Sequence, residues 1–223
     1  MATLWQDTRY AIRMLAKSPM LTAIVVLTLG LGIAANTAIF GIVNGFLLRP
    51  LPVKSPEQIM VLAGKLEGDT LGIFTFSYPQ LVDFRKQTDA FSDLFASQLD
   101  LGGLSFGGNA SQFMYCHVTG NYFSTLGVQP ALGRLFLPTE GEVGGRDPYI
   151  VLGYSFWQKR FGGDPGIVGK QALIDGQEAT IVGVAQKGFQ GTRFALDLDG
   201  YLPLNMMPEE DAAKFWSDRT PVR

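Results

Sequence analysis

Two residue types that carry most side-chain chemistry are almost missing from this sequence. One cysteine, Cys116, excludes an intrachain disulfide, and one histidine, His117, leaves little for a zinc centre or a Ser-His-Asp triad. The two are adjacent, but neighbours on a strand point to opposite faces and so do not form a Cys–His dyad. Charge is also scarce, at 17% of 223 residues with a net of −2, which argues against a nucleic-acid partner, since neutralising its backbone needs a strongly basic surface. Between Ser18 and Leu48 charge is absent altogether.

That charge-free run is what the sequence has in quantity. Met20 to Leu48 would be ~40 Å long as a helix, and a bilayer core needs only about 20 residues. Pro19 opens the run, where its missing N–H costs little, and Arg49-Pro50-Leu51-Pro52 ends it. The run is too long for a signal-peptide core and no A-x-A site follows, so an uncleaved anchor over residues 18–49 is expected. Arg9, Arg13 and Lys17 before the span, against Arg49 and Lys54 after it, favour a cytoplasmic N-terminus. Residues 1–17 read as a cytoplasmic amphipathic segment, with Leu4, Trp5, Ala11, Ile12 and Leu15 apolar and Arg9 and Arg13 one turn apart.

Gly30, Ala34, Ala38, Gly41 and Gly45 fall on one stripe of the span and are the candidate helix-packing residues, since small side chains let a second helix approach. Asn36, Thr37 and Asn44 would need hydrogen-bond partners in lipid, which points to further helices. Gly30 to Ala35 imitates a dinucleotide-binding loop, but inside an uncharged span. Gly163 to Lys170 imitates a P-loop, but its glycine spacing is off by one and Gln171 replaces Ser or Thr. Asn109-Ala-Ser111 is a glycosylation triplet without supporting context. No catalytic, cofactor-binding or metal-binding residues are assigned.

The expected fold is α+β. Gln58–Ala63 reads as a buried strand, and Ser77-Tyr-Pro-Gln starts a helix that ends near Thr88. Phe91–Gln98 and Gln112–Val118 read as strands paired across a glycine-rich stretch, Leu101 to Asn109. Asn121–Leu126 is a short helix ended by Gly127. This order opens a split βαβ arrangement. A strand-rich section follows from Gly133 to Val184: a strand Tyr149–Leu152, a helix Ser155–Phe161 capped by Ser155, and a hairpin of Gln171–Asp175 and Glu178–Val184 turning at Asp175-Gly176.

Several of these segments resemble the periplasmic core domain of MacB-type ABC-transporter permeases, of the FtsX-like superfamily. They are Val118-Thr-Gly-Asn-Tyr-Phe-Ser-Thr-Leu-Gly-Val-Gln-Pro130, Gly133-Arg-Leu-Phe136 with Glu140, and Val151 through Gly162-Gly-Asp-Pro165 with Ile167-Val-Gly169. Ile181-Val-Gly-Val184, Gly188-Phe-Gln-Gly191 and Tyr201-Leu-Pro203 complete the set. The front end, Arg9-Tyr-Ala-Ile-Arg-Met-Leu15 through Asn36-Thr-Ala-Ile-Phe40 to Leu47-Leu-Arg-Pro-Leu-Pro52, is similar to the orphan-permease branch of that family.

The resemblance implies one transmembrane helix, then a periplasmic domain over 53–223 with a split βαβ (ferredoxin-like) part and an inserted strand-rich subdomain. It implies a non-catalytic permease subunit in the cell inner membrane that transmits conformational change from the cytoplasm to the periplasm. The implied partners are the lipid bilayer, an ATP-binding subunit, other permease helices and, as a candidate, a second copy of the chain. The family's later helices do not follow here, so the expectation is a truncated piece whose sheet lacks its later strands. The competing reading is a binding or adaptor module held by one helix and independent of any ATPase.

Overall fold

Pro19 has no N–H, so it can open a helix but cannot bond back to the turn before it. In the computed structural model, which describes residues 2–47, 52–62, 76–87, 90–141, 147–192 and 196–207, helix α1 covers Ala2–Lys17 and helix α2 covers Pro19–Leu47. The proline is the first residue of α2, as expected. The donor it withholds from the Leu15 carbonyl is replaced by the Thr22 hydroxyl at 2.7 Å and the Ser18 N–H at 3.3 Å. Thr28 donates its hydroxyl back to Ile24 O at 2.8 Å, which satisfies it within the apolar helix. Every described side chain of Pro19–Gly41 is exposed apart from half-buried Thr22. This is the one helix among the described residues long and apolar enough to cross a membrane. Leu48 lies outside the described residues.

These helices belong to a first unit, Met1–Pro50, and the rest of the chain, Leu51–Arg223, is a second. In the second unit, helix α3 covers Tyr78–Gln87, with the Gln80 side chain accepting the Ser77 N–H at 2.9 Å as half of a capping box. Strand β1 (Ser97–Phe106) and strand β2 (Asn109–Val118) pair antiparallel over their full length, from Ser97↔Val118 to Phe106↔Asn109. Helix α4 (Tyr122–Leu126) leads to β3 (Pro130–Gly133); β4 (Tyr149–Leu152) leads to α5 (Tyr154–Phe161). The hairpin β5 (Gln171–Ile174) and β6 (Gln177–Ala185) follows, then β7 (Gly200–Pro203).

The ladder order is β3-β6-β4-β7-β2-β1-β5, and β5 also pairs with β6. The strands other than β3 therefore form a closed ring, with β3 flanking β6 beside β5. Each ring strand sends at least one side chain into a shared core: Leu104, Phe113, Ile150, Ile174, Ile181 and Leu202, all at most 3% exposed. Alternation puts Cys116, Val118, Val151 and Tyr201 on the other face, where they meet Tyr122, Phe123 and Leu126 of α4. Burying such a side chain contributes about 1.5–3 kcal/mol, so two apolar faces on the same strands account for their near-continuous hydrophobic runs.

Four expectations change. Leu101–Phe106 is strand rather than loop, and the hairpin turns at Gly107-Gly108, both at positive φ (57° and 80°). The segment from Phe91 to Ala96 is irregular, its backbone held by side chains and by Thr119 rather than by a ladder. Pro56–Gln58 is a 3-10 turn and residues 59–62 form no ladder; Ile59 packs on the outer core while Met60 and Val61 are exposed (74% and 88%). Residue Ala63 lies outside the described residues. Finally, α5 is capped at Gly153, not Ser155: Gly153 O accepts the Trp157 N–H at 3.0 Å, its own N–H donates to Asp199 O at 2.8 Å, and a Cβ there would stand 2.2 Å from Leu198 O.

Candidate functional site

The run Val118 to Gly127 carries the densest polar network of the second unit, centred on Asn121. Thr119 Oγ1 accepts the Ala96 N–H at 3.2 Å. Gly120 sits where a Cβ would be 2.4 Å from Leu137 O, so no larger residue fits. Asn121 accepts from Arg85 at 2.9 Å and donates to both Asp93 oxygens (2.9 and 3.0 Å) and to Leu94 O (3.0 Å). Arg85 also donates from Nε to Leu94 O at 3.0 Å, and the Thr125 hydroxyl donates to Asp93. Burial pushes the Asp93 carboxyl up, but these hydrogen bonds and the Arg85 charge outweigh it, leaving it below the usual carboxylate range. The network ties α3, α4 and the irregular segment into one piece.

The segment that follows the span in sequence is clamped at the end of α4. Gly127, at φ 68°, closes a Schellman motif in which Gly127 N donates to Ser124 O and Val128 N to Phe123 O. That leaves the Leu126 carbonyl, which accepts the Lys54 N–H at 2.8 Å. The Gln186 side chain donates to Pro52 O, and Val53 and Ile59 pack on the outer core. Pro52–Ile59 is therefore held by backbone, side-chain and apolar contacts together.

Elsewhere the motifs are structural. Arg134 makes a bidentate pair with Glu140 (both 2.9 Å), lies over the Tyr149 ring at 4.9 Å, and has its basicity raised by Glu140. Asp175 and Gly176 form the hairpin turn at φ 49° and 85°. Asp175 also accepts from Gly103 N and Tyr115 Oη, contacts that sequence reasoning missed. Burial, then the Asp175 and Asp100 carboxylates, push the Tyr115 phenol well up.

Of the predicted packing residues, Gly30, Ala34, Ala38 and Gly41 lie along α2 and are exposed, with nothing within 4 Å of a Cβ built at Gly30 or Gly41. Gly45 is on the same helix. Cys116 faces the outer core, whereas His117 stacks edge-on against inner-face Tyr115 at 5.2 Å, with Nδ1 3.4 Å from Pro203 O. No group of three metal-ligating side chains occurs among the described residues. A shallow cleft lined by Tyr78, Arg85, Thr119, Asn121 and Leu204 has room for little more than a single water, far short of a small-molecule pocket.

The sequence profile of the family described as MacB-like periplasmic core domain matches residues 22–220. No curated protein matches the sequence. Among solved structures, the extracellular domain of the noncanonic ABC-type transporter YknZ from Gram-positive bacteria is similar, with a TM-score of 0.50 and 18% identity, covering 61% of this chain and 67% of that one. The periplasmic region of MacB from Actinobacillus actinomycetemcomitans gives 0.50 at 16% identity, covering 64% of this chain and 63% of that one. At these identities the likeness is one of fold.

Proposed function

The chain belongs to the family of MacB-like periplasmic core domains, and from that membership we propose that it is a non-catalytic permease subunit of a MacB-like ABC transporter, passing movement from the cytoplasm to a periplasmic domain. The observation that carries this reading is the extent of the match. Residues 22–220 take in most of α2 together with the second unit, so anchor and outer domain form one family module.

In this reading α2 crosses the cell inner membrane, residues 1–17 remain in the cytoplasm, and the domain from 53 onward is periplasmic. The basic residues before the span support that orientation. Gly30, Ala34, Ala38, Gly41 and Gly45 receive other permease helices or a second copy of the chain. An ATP-binding subunit on the cytoplasmic side supplies the work. The Pro52–Ile59 clamp then carries a displacement of the span into α4. The antiparallel pair β1–β2 with α3 and α4 supports a split βαβ part, into whose sheet strands β3 to β6 are inserted. The competing reading is an anchored binding or adaptor module that works without an ATPase.

Co-purification from membranes separates the two. The full chain should retain an ATP-binding subunit; its recovery alone, with no effect on any ATPase, would favour the module. Labelling of Thr3→Cys from outside intact cells, or failure to label Thr70→Cys, would overturn the orientation.

A further inference from the structure

Helix α1 carries its charge on one side. Arg9, Arg13 and Lys17 recur every fourth residue, so they share about a quarter of the helix circumference. Leu4, Trp5, Ala11, Ile12, Leu15 and Ala16 occupy the arc that adjoins Arg9. Asp7, the helix's lone acidic residue, falls nearly opposite Arg9. Within the first unit the described side chains of this surface are uncovered: Trp5 is 74% and Leu15 47% exposed, and Arg9, Arg13 and Lys17 are all exposed.

What covers it follows from the helix junction. Only Ser18 separates Lys17 from α2, and the Thr22 hydroxyl donates to Leu15 O at 2.7 Å and reaches Ser18 O at 3.0 Å. The last turn of α1 is thus fastened to the first turn of the apolar helix. Where α2 enters the hydrocarbon layer, Lys17 stands at headgroup depth, and a helix fastened there with one apolar and one basic side lies along the surface. A basic row at that depth meets lipid phosphates, and the long, flexible Arg and Lys stems suit a laterally mobile array of them.

We infer that α1 is an anionic-phospholipid-binding helix, in which Arg9, Arg13 and Lys17 take headgroup phosphates while the Trp5–Leu15 arc enters the interface. This rests on α2 spanning the bilayer. Each basic side chain near an anionic surface raises the bound fraction about fivefold, so the row is worth on the order of a hundredfold in the ratio of surface-bound to free α1. The effect weakens as salt shortens the Debye length.

The test uses the full chain in vesicles of phosphatidylcholine alone or mixed with phosphatidylglycerol. An environment-sensitive label is placed at Thr8→Cys, within the apolar arc, and a second at Ala35→Cys inside α2; native Cys116 is buried and stays unlabelled. The Thr8 label should be quenched by brominated lipid in the mixed vesicles and much less in pure phosphatidylcholine, with the difference lost at high salt. The triple change Arg9→Gln, Arg13→Gln, Lys17→Gln should abolish it, while Arg9→Lys with Arg13→Lys should keep it. Equal quenching in both vesicle types, unmoved by the triple change, would overturn the inference. So would a water-exposed Thr8 label beside a quenched Ala35 label, which would reserve α1 for a protein partner. An unquenched Ala35 label would instead remove the spanning premise, and the inference with it.

Discussion

The Asp175 carboxylate lies directly on Gly102. A Cβ at Gly102 would stand 2.0 Å from Oδ2, while Oδ1 accepts the Gly103 N–H at 2.7 Å and Oδ2 accepts the Tyr115 hydroxyl at 2.8 Å. The turn of one hairpin is thereby fixed to both strands of the other, and β5 is brought beside β1, with Leu104 opposite Ile174. This contact is where the ring of strands closes.

The contact predicts a coupled pair of substitutions. Asp175→Gly keeps the positive φ of the turn but removes the carboxylate, leaving Gly103 N–H and Tyr115 Oη without it, and should destabilise the second unit by about 1–3 kcal/mol. Gly102→Ala should cost at least as much, through the clash. In the double variant the clash is gone, so the two losses should add to clearly less than their sum in thermal melts of the full chain. Strict additivity would show that Asp175 does not occupy the space over Gly102.

The same contact explains how far the sequence was legible. Strand β4, helix α4 with its Gly127 cap, and the Asp175-Gly176 turn follow from short-range rules: apolar runs, a left-handed glycine, a two-residue turn. Gly102 and Gly103 read as loop because local propensity disfavours glycine in a strand, yet they pair with Phe113 and Gln112 of β2, and Gly102 must be glycine because the distant Asp175 carboxylate fills the space of its Cβ. Gln58–Ala63 fails for the converse reason. Its composition suits a strand, but a strand exists only in a ladder, and the described residues 59–62 have none. The Asn121 network was hidden because its partners, Arg85 and Asp93, lie 36 and 28 residues away. The family-bearing motif could be read as a pattern, but its work as a polar knot could not.

That knot predicts acid sensitivity. The folded carboxyl of Asp93 lies below its ordinary value near 4, so it contributes stability that is present above about pH 4 and lost as pH falls through the folded value. Asp93→Asn should lower the melting temperature at pH 7 and converge with the unaltered chain at the acid end of a pH 7-to-3 series. Parallel curves across that range would separate Asp93 from the acid response.

Asp199 should behave with the opposite sign. Burial is the main cause of its raised carboxyl pKa, opposed by the Met114 N–H it accepts at 2.9 Å. A folded value above the unfolded one means that ionisation opposes folding: the penalty is absent below about pH 4 and complete once pH has risen through the folded value. Asp199→Asn offers an amide oxygen to the same N–H without the charge. It should raise the melting temperature at pH 7, with the gain disappearing in acid; a loss at pH 7 would mean that the charge itself is needed.

The clamp after the span gives the last prediction, because it can be loosened from one glycine. Gly127 needs its positive φ for the α4 cap, and a Cβ there would also stand 2.8 Å from Lys54 Cβ. Gly107, at the tip of the β1–β2 hairpin, has a similar φ of 57° but nothing within 4 Å. Alanine at either position bears the left-handed backbone cost of about 1 kcal/mol. Only at Gly127 must the methyl also push Lys54 away, which lengthens the Lys54 N–H bond to the Leu126 carbonyl and leaves that carbonyl without its donor. Gly127→Ala should therefore destabilise more than Gly107→Ala and speed amide exchange in the peptide around Lys54, which Gly107→Ala should leave unchanged. If both variants leave Lys54 equally protected, the segment is not held through α4, and a displacement of the span would have to reach the outer domain by another path.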